Sequence, residues 1–361
     1  MKLGLVGLPN VGKSTLFNAI MDNKTESANY LFSTLAPNVG VVPVPDARLY
    51  VLEKMYQPKV VTNAVVEMVD IPGLVEGASQ GEGMGNQFLS YIREVDAIVH
   101  VVRGFEDKNI MHVYEDINPL RDVEIIDLEL IVADLDVVER RLSKVVRLKN
   151  DRVYHREVEV LQELQTYFNE GKCARQIEWD NFDDEKYVKG LNLLTTKPVL
   201  YAVNMSEDDI NTNNNFVSEV EEHAKKENSM VFPICAKLEE EIAALDKEEK
   251  EAFLHEMGLE LGGLDRLISA GYELLGLISF LTAGPKEVRA WTIRRGLKAP
   301  QAAGKIHSDL ERGFIRAEVV AFDDLERLGS YNKAKDSGLV RIEGKEYIVQ
   351  DGDVMLIRFN V

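Results

Sequence analysis

A short apolar run, Lys2–Val6, breaks at Gly7-Leu8-Pro9-Asn10-Val11-Gly12-Lys13-Ser14, and an amphipathic stretch, Thr15–Met21, follows. This GxxxxGK[ST] spacing between a strand pattern and a helix pattern constrains the chain more than any other feature. The glycines let backbone N–H groups turn inward around phosphate oxygens, and the following helix contributes its positive N-terminal end. Lys13 is placed to reach the β- and γ-phosphates of a nucleotide, and Ser14 to offer its hydroxyl to Mg²⁺. Asn10, Val11, Gly12, Lys13, Ser14 and Thr15 are therefore candidate nucleotide-binding residues. At average residue usage a chance match in a chain of this length is on the order of 1%, so a purely structural glycine turn is a weak competitor.

Further apolar runs at Asn63–Val69, Ala97–Val102, Pro198–Val203 and Met230–Ile234 are separated by helical stretches, the pattern of buried parallel strands in an α/β sheet. Between them, Leu128, Ile131, Leu135, Val138, Leu142 and Val145 are spaced 3-4-3-4-3, and Leu161, Leu164 and Phe168 repeat the spacing. This reads as an antiparallel two-helix coiled coil inserted in the α/β domain, its alternative being two amphipathic helices lying flat on the main domain. From about Leu281 the character changes to β-rich runs with turn signals such as Asp351-Gly352. The expected organisation is a P-loop NTPase domain over 1–121 and 197–280, an inserted helical arm over 122–196, and a small α+β domain over 281–361.

The net charge of −19 argues against a protein that coats nucleic acid with its whole surface. Charge is uneven, however: Pro285–Arg316 holds 8 Lys/Arg against 3 Asp/Glu, including Arg289, Arg294, Arg295, Lys298, Lys305, Arg312 and Arg316. That run is either one basic face for a partner or a solvated surface. Two cysteines, Cys173 and Cys235, with no CxxC and no histidine cluster, exclude a disulfide scaffold or zinc module. The N-terminal run is too short for a secretory segment, and no apolar stretch of ~18 residues could span a membrane. A cytoplasmic protein that makes no use of a membrane is expected.

Asp70-Ile71-Pro72-Gly73 ends the Asn63–Val69 strand. An Asp there can hold the Mg²⁺ shell, and Gly73 can give its N–H to the γ-phosphate. Between the two motifs, Thr34 is the natural switch threonine that closes on Mg²⁺ when γ-phosphate is present, with Ser33 and Thr62 as competitors. Ser14, Thr34 and Asp70 form the candidate metal set.

Gly7–Thr15, Asn29–Gly40 (NYLFSTLAPNVG) and Asp70–Leu89 (DIPGLVEGASQGEGMGNQFL) resemble the Obg-related branch of P-loop NTPases. The inserted helices and the C-terminal module narrow the resemblance to the YchF (Obg-like) ATPase family, over essentially the whole chain. The tail, with Ala303–Asp309 and Gly313–Glu318, resembles that family's TGS domain, a ubiquitin-like fold. The resemblance implies an ATP-hydrolysing factor, associated with translation or stress, that contacts ribosomes. It extends to tRNA or other RNA as partners of the TGS domain and arm, and a monomer is expected.

Guanine-specific relatives read the base with NKxD; here strand Pro198–Val203 leads into Asn204-Met205-Ser206-Glu207. The lysine is a methionine and the aspartate a longer glutamate, which disfavours guanine. Asn204 Oδ1 could accept from the adenine 6-amino group, Met205 offers an apolar face to the ring, and the Ala236 N–H of Cys235-Ala236-Lys237 is expected to face the base. Many GTPases place a Gln after DxxG to orient the attacking water; here it is Leu74, so catalysis beside Lys13 and Gly73 must draw on something else. The resemblance puts a functional histidine of a mobile loop at His112, whose alternative is an ordinary surface histidine. Asn10 occupies the position where K⁺-activated relatives carry an Asn that helps to hold the ion. Two rival readings stand beside the ATPase: an Obg-type GTPase, and a nucleotide-gated adaptor with negligible turnover, which Leu74 keeps serious.

Overall fold

In the computed structural model the described residues are 1–22, 37–73, 84–114, 116–148, 154–179, 184–210, 212, 214–257, 259 and 261–360. Twelve strands are formed among them: β1 (Lys2–Val6), β2 (Asn38–Pro43), β3 (Val60–Thr62), β4 (Val65–Asp70), β5 (Ala97–Arg103), β6 (Val199–Asn204), β7 (Met230–Ile234), β8 (Leu277–Ala283), β9 (Glu287–Arg294), β10 (Phe314–Ala321), β11 (Arg341–Glu343) and β12 (Asp353–Phe359). The first five helices are α1 (Lys13–Asp22), α2 (Ala47–Tyr56), α3 (Met84–Glu94), α4 (Pro119–Val145) and α5 (His155–Asn169). The chain divides into two compact units, Met1–Gly40 with Glu67–Leu267 and Val41–Val66 with Ile268–Val361.

The sheet of the first unit runs β2-β4-β1-β5-β6-β7, and β4, β1, β5, β6 and β7 run parallel to one another. Every residue of β5 and β6 is buried. Strands covered on both faces by helices read as unbroken apolar runs rather than as alternation, which is why the sequence pattern found them. The order places the C-terminal ends of β1, β4, β5 and β6 along one edge, where the loops that carry chemistry emerge.

Helix α4 starts at a well-formed cap: the Asn118 side chain accepts from Arg121 N at 2.9 Å and Pro119 stands at the first position. Its first half buries Val123, Ile126 and Leu130, and its second half buries Ile131, Val138 and Val145 in one core with Val160, Leu161, Leu164 and Phe168. Arg141 pairs with Glu157 at 2.6 Å and Gln165 with Glu139 at 3.1 Å, so α4 and α5 run in opposite directions. Leu128 departs from the expected stripe and is 55% exposed. The helix changes its buried face where it changes partner, and a single 3-4 stripe cannot describe both halves.

Two buried polar groups fix α4 in place. Asp134, fully buried, accepts from Leu194 N at 2.9 Å and from Thr195 N and Oγ1 at 2.8 and 2.7 Å. Arg175 donates to Asp127 at 2.7 Å and to Glu227 at 2.8 Å, and Tyr201 donates to Glu227 at 2.5 Å. Ligand atoms of Asp127, His223 and Glu227 lie within 4.8 Å of one another. The guanidinium of Arg175, however, already supplies the positive charge between the two carboxylates.

The second unit holds a sheet ordered β11-β10-β12-β8-β9-β3. Its central pair, β12 and β8, is parallel; β8–β9, β10–β12 and β10–β11 are antiparallel. Helix Ala299–Ile306 covers its core through Ala299, Ala302 and Ala303, against Phe280, Ile293 and Val319. The sequence reading placed 41–66 in the nucleotide domain and began the C-terminal domain at 281. In the structure both 41–66 and 268–280 belong to the second unit, because β3 extends the sheet at the free edge of β9 (Val60↔Glu287, Val61↔Val288, Thr62↔Arg289). A three-residue edge strand paired across more than two hundred residues leaves no periodicity to read.

Replacing Asp134 with Ala leaves two buried N–H groups without an acceptor. Urea unfolding should then show a loss of about 2–4 kcal/mol, and Asp134→Asn a smaller one. An unchanged midpoint for Asp134→Ala would contradict the anchoring role.

Candidate nucleotide site

The loop from β1 to α1 has two residues in left-handed conformation, Asn10 (φ 63°) and Gly12 (φ 94°). Gly12 has a second reason to lack a side chain: a Cβ there would lie 2.2 Å from Asn204 Nδ2. A Cβ on Gly7 would meet the Val101 carbonyl oxygen at 2.6 Å. Both glycines thus permit main-chain approach to the ends of β5 and β6 as well as the turn itself. Gly73 lies against the same loop, with Gly7 O 3.5 Å from where its Cβ would stand.

Lys13 opens α1, is 8% exposed, and its ammonium contacts Asp70 Oδ1 at the end of β4. The two side chains that sequence reasoning assigned to phosphate and to metal therefore neutralise each other. Ser14 is exposed at the next position, and Thr15 lines the adjoining cavity. Thr34, Ser33 and Leu74 lie outside the described residues.

Beside this loop is a cavity of about 460 Å³ whose walls include Asn10, Gly12, Phe105, Met205, Glu207 and Ala236. Asn204, Cys235 and Lys237 also line it. Asn204 has a task in the structure that its residue type does not announce. Its Nδ2 donates to Val11 O at 2.9 Å, and its Oδ1 accepts from Ala236 N at 2.9 Å. Ala236 begins the helix Ala236–Ala243, whose N-cap residue, Cys235, makes no side-chain cap. Asn204 therefore supplies the acceptor that the helix start lacks, and the Ala236 N–H, expected to face the base, is taken up by it. Met205 is buried, with its N–H on Ile234 O at 2.7 Å. The Glu207 carboxylate is paired with Lys237 at 2.9 Å. Cys235 is buried, and burial pushes its thiol up from the ordinary range.

The opposite wall is the loop after β5, and its organiser is Arg103, which sequence reasoning passed over. This side chain is 1% exposed and donates to three carbonyls: Phe105 O at 3.1 Å, Ile110 O at 3.0 Å and Asp107 O at 3.2 Å. It also lies 4.5 Å from the centre of the Phe105 ring. Beyond Ile110 the chain reaches the phosphate loop, where Asn10 Nδ2 donates to Met111 O at 3.0 Å. An arginine at the end of a strand that is otherwise apolar but for His100 was the available signal.

His112 is neither exposed nor a wall of the cavity. Its imidazole accepts from Tyr114 N at 3.2 Å through Nδ1, and its Nε2 lies 3.0 Å from Asp122 Oδ2 in the first turn of α4, both side chains being 2% exposed. Burial pushes the Asp122 carboxyl up while the imidazole and Arg121 pull it down. The expectation of a histidine facing the attacking water is not met in this conformation: the buried carboxylate holds the ring.

Asn204→Ala removes the tie between the loop and the helix start. Nucleotide affinity should fall by about tenfold or more, the equivalent of one or two buried hydrogen bonds at ~1 kcal/mol each. Isothermal titration with ATP would measure it, and unchanged affinity would contradict the clamp.

Comparison with known proteins follows the same outline. A family model described as a 50S ribosome-binding GTPase matches residues 2–134, and one for the YchF GTPase C-terminal region, described as a protein of unknown function, matches 277–360. A protein named ribosome-binding ATPase YchF from Bacillus subtilis (strain 168) is 53% identical over 362 residues, covering 99% of each chain. Its namesake from Escherichia coli O157:H7 is 49% identical, covering 100% of this chain and 99% of that one. The solved structure of the Schizosaccharomyces pombe YchF GTPase superposes with a TM-score of 0.87 at 36% identity, covering 99% of this chain and 97% of the other. With this identity spread over both compact units and the phosphate loop in place, the chain belongs to the YchF family.

Proposed function

We propose that the chain binds and hydrolyses ATP in preference to GTP and associates with ribosomes in a nucleotide-dependent way. The observation that carries the base preference is the wall formed by Met205 and Glu207. Reading guanine takes a free carboxylate that accepts from N1–H and the 2-amino group together. Glu207 is longer than the aspartate that does so and is engaged by Lys237 at 2.9 Å. Adenine has neither donor and asks only for an apolar face, which buried Met205 offers. The relatives from B. subtilis and E. coli are named ATPases, which supports this reading; the S. pombe relative is named a GTPase, which makes GTP the second reading.

Mg²⁺ fits the oxygen donors at hand. Ser14 follows Lys13 in the chain and Asp70 contacts the Lys13 ammonium, and Thr34 is proposed as the third protein oxygen. The ion would neutralise charge on the β- and γ-phosphates. In the resting pair each partner keeps the other from remaining an uncompensated buried charge. Nucleotide phosphates give Lys13 a new anion and release the Asp70 carboxylate. Gly73 is proposed to give its N–H to the γ-phosphate, and His112 to act only once its imidazole leaves Asp122. K⁺ would meet Asn10 through Oδ1, the end of the amide that does not hold Met111.

Turnover is proposed to be slow, because Leu74 can neither donate nor accept. The α4–α5 pair is read as the coiled-coil arm, supported by their opposite directions and shared core. The second unit is read as a ubiquitin-like TGS domain, supported by the strand order β9-β8-β12-β10-β11 with a parallel central pair. Ribosome association, and with it a role in translation or stress, in the cytoplasm and as a monomer, follows the names of the bacterial relatives and the family resemblance.

Competition titration decides the base. ATP should bind more tightly than GTP, and Met205→Lys combined with Glu207→Asp should shift the preference toward GTP by about 1–3 kcal/mol. GTP binding more tightly to the unaltered chain would overturn the reading.

A further inference from the structure

In the second unit the sheet opens beside its central pair. β8 and β12 share the register pair Val354↔Leu281. Beyond it β12 runs on to Phe359 with β10 along one side. β8 ends at Ala283, and the chain turns through Gly284-Pro285-Lys286 into β9. A parallel pair that stops while one strand continues leaves a gap in the layer, and here the gap is a cavity of about 670 Å³. Ala283, Ile306, Leu310, Met355, Ile357 and Phe359 give it apolar walls. Ile306, Leu310 and Ile357 also pack against the core of the unit, which fixes these walls in place.

The polar groups left over at this cavity are donors. Tyr56, the last residue of α2, is half-buried, and its hydroxyl has no hydrogen-bond partner among the described residues. Burial pushes its phenol up from the ordinary range, so it stays an O–H donor at neutral pH. Lys286, in the turn, has no hydrogen-bond or ion-pair partner among the described residues either. Thr282 Oγ1 accepts from Trp291 Nε1 at 2.9 Å, which leaves its own O–H to give. The acceptors are already engaged. Glu287 Oε1 holds Thr62 Oγ1 at 3.0 Å and Arg289 at 3.6 Å, and the Tyr331 hydroxyl donates to Glu318 at 2.6 Å. Spare donors beside an apolar gap call for a group with acceptor oxygens and an apolar body. Water is a poor occupant of so apolar a space, and an empty one forfeits packing on every wall.

We infer that this cavity takes a fatty acid, its aliphatic tail against Ile306, Leu310 and Met355 and its carboxylate on Tyr56 and Lys286. The volume lies within the ~300–1,000 Å³ of ordinary small-ligand pockets, which likewise pair apolar walls with a few polar groups. Charge agrees with an anionic head. Residues 281–361 hold 14 Lys/Arg against 12 Asp/Glu in a chain of net charge −19, so a carboxylate meets less repulsion here than over the rest of the chain. An aliphatic alcohol would fill the walls but give Lys286 no counter-charge, and a cationic amphiphile would set like charge beside it.

The test is isothermal titration of the full chain with laurate, and with dodecanol as the uncharged tail of the same length. Laurate should bind at one site per chain, at least about tenfold more tightly than dodecanol, the weight of one charge-assisted hydrogen bond. Tyr56→Phe combined with Lys286→Gln should bring laurate down to the level of dodecanol and leave dodecanol unchanged. Thermal unfolding of that double variant at the midpoint of the unaltered chain checks its fold. Ala283→Trp, which fills the gap without removing either polar group, should weaken both ligands by about tenfold or more. Laurate binding no tighter than dodecanol, no effect of the double variant on laurate, or no effect of Ala283→Trp on either ligand would overturn the proposal. So would dodecyltrimethylammonium binding more tightly than laurate, or no heat from laurate at about 1 mM. A dimer that forms with rising concentration and is broken by Ala283→Trp, with no laurate uptake, would also overturn it and give the cavity to a second copy of the chain.

Discussion

One side-chain amide holds the nucleotide site together. Asn204, at the end of β6, bonds Val11 O in the phosphate loop and Ala236 N at the start of the next helix, both at 2.9 Å. The contact is so close that Gly12 can carry no Cβ. The loop between β1 and α1, the end of β6 and the Cys235–Lys237 turn are thereby set in one geometry before any nucleotide arrives. A site ordered in advance spends less of its binding free energy on ordering loops. What is left for specificity falls to the neighbours of Asn204, the buried Met205 and the lysine-paired Glu207.

Facing this fixed wall is one whose shape depends on Arg103. Three main-chain carbonyls converge on its buried guanidinium, folding the loop so that Met111 O reaches Asn10. The same loop carries His112 to Asp122 in the first turn of α4. A path of contacts therefore leads from the phosphate loop to the start of the long helix: the Asn10–Met111 hydrogen bond, and then the 3.0 Å approach of His112 to Asp122. Any movement of Asn10 when nucleotide binds has a physical route to α4.

The phosphate loop, the buried parallel strands and the second heptad half of α4 were legible because each carries a local pattern: a fixed motif, an apolar run or a 3-4 spacing. Legibility ended where two distant segments define one object. Strand β3 is invisible as three residues until β9 is beside it. Leu128 fits the α4 stripe by spacing but faces solvent, because the helix changes partner at its middle. Chemical type was not enough at Asn204 and His112. Residue type says that an Asn can read a base and that a His can position water, but only tertiary contacts show that the amide is already bonded at both ends and that the imidazole is buried against Asp122.

The central claim is that the ion pair of Lys13 and Asp70 is the resting form of a Mg²⁺-nucleotide site. A crystal structure of the chain with Mg²⁺ and a non-hydrolysable ATP analogue tests it most directly. The account predicts that the Lys13 ammonium leaves Asp70 for the β- and γ-phosphates. It also predicts that the adenine lies against Met205 with Glu207 still on Lys237, and that Asn204 keeps both of its bonds. Lys13 remaining on Asp70 with the phosphates bound elsewhere would contradict it.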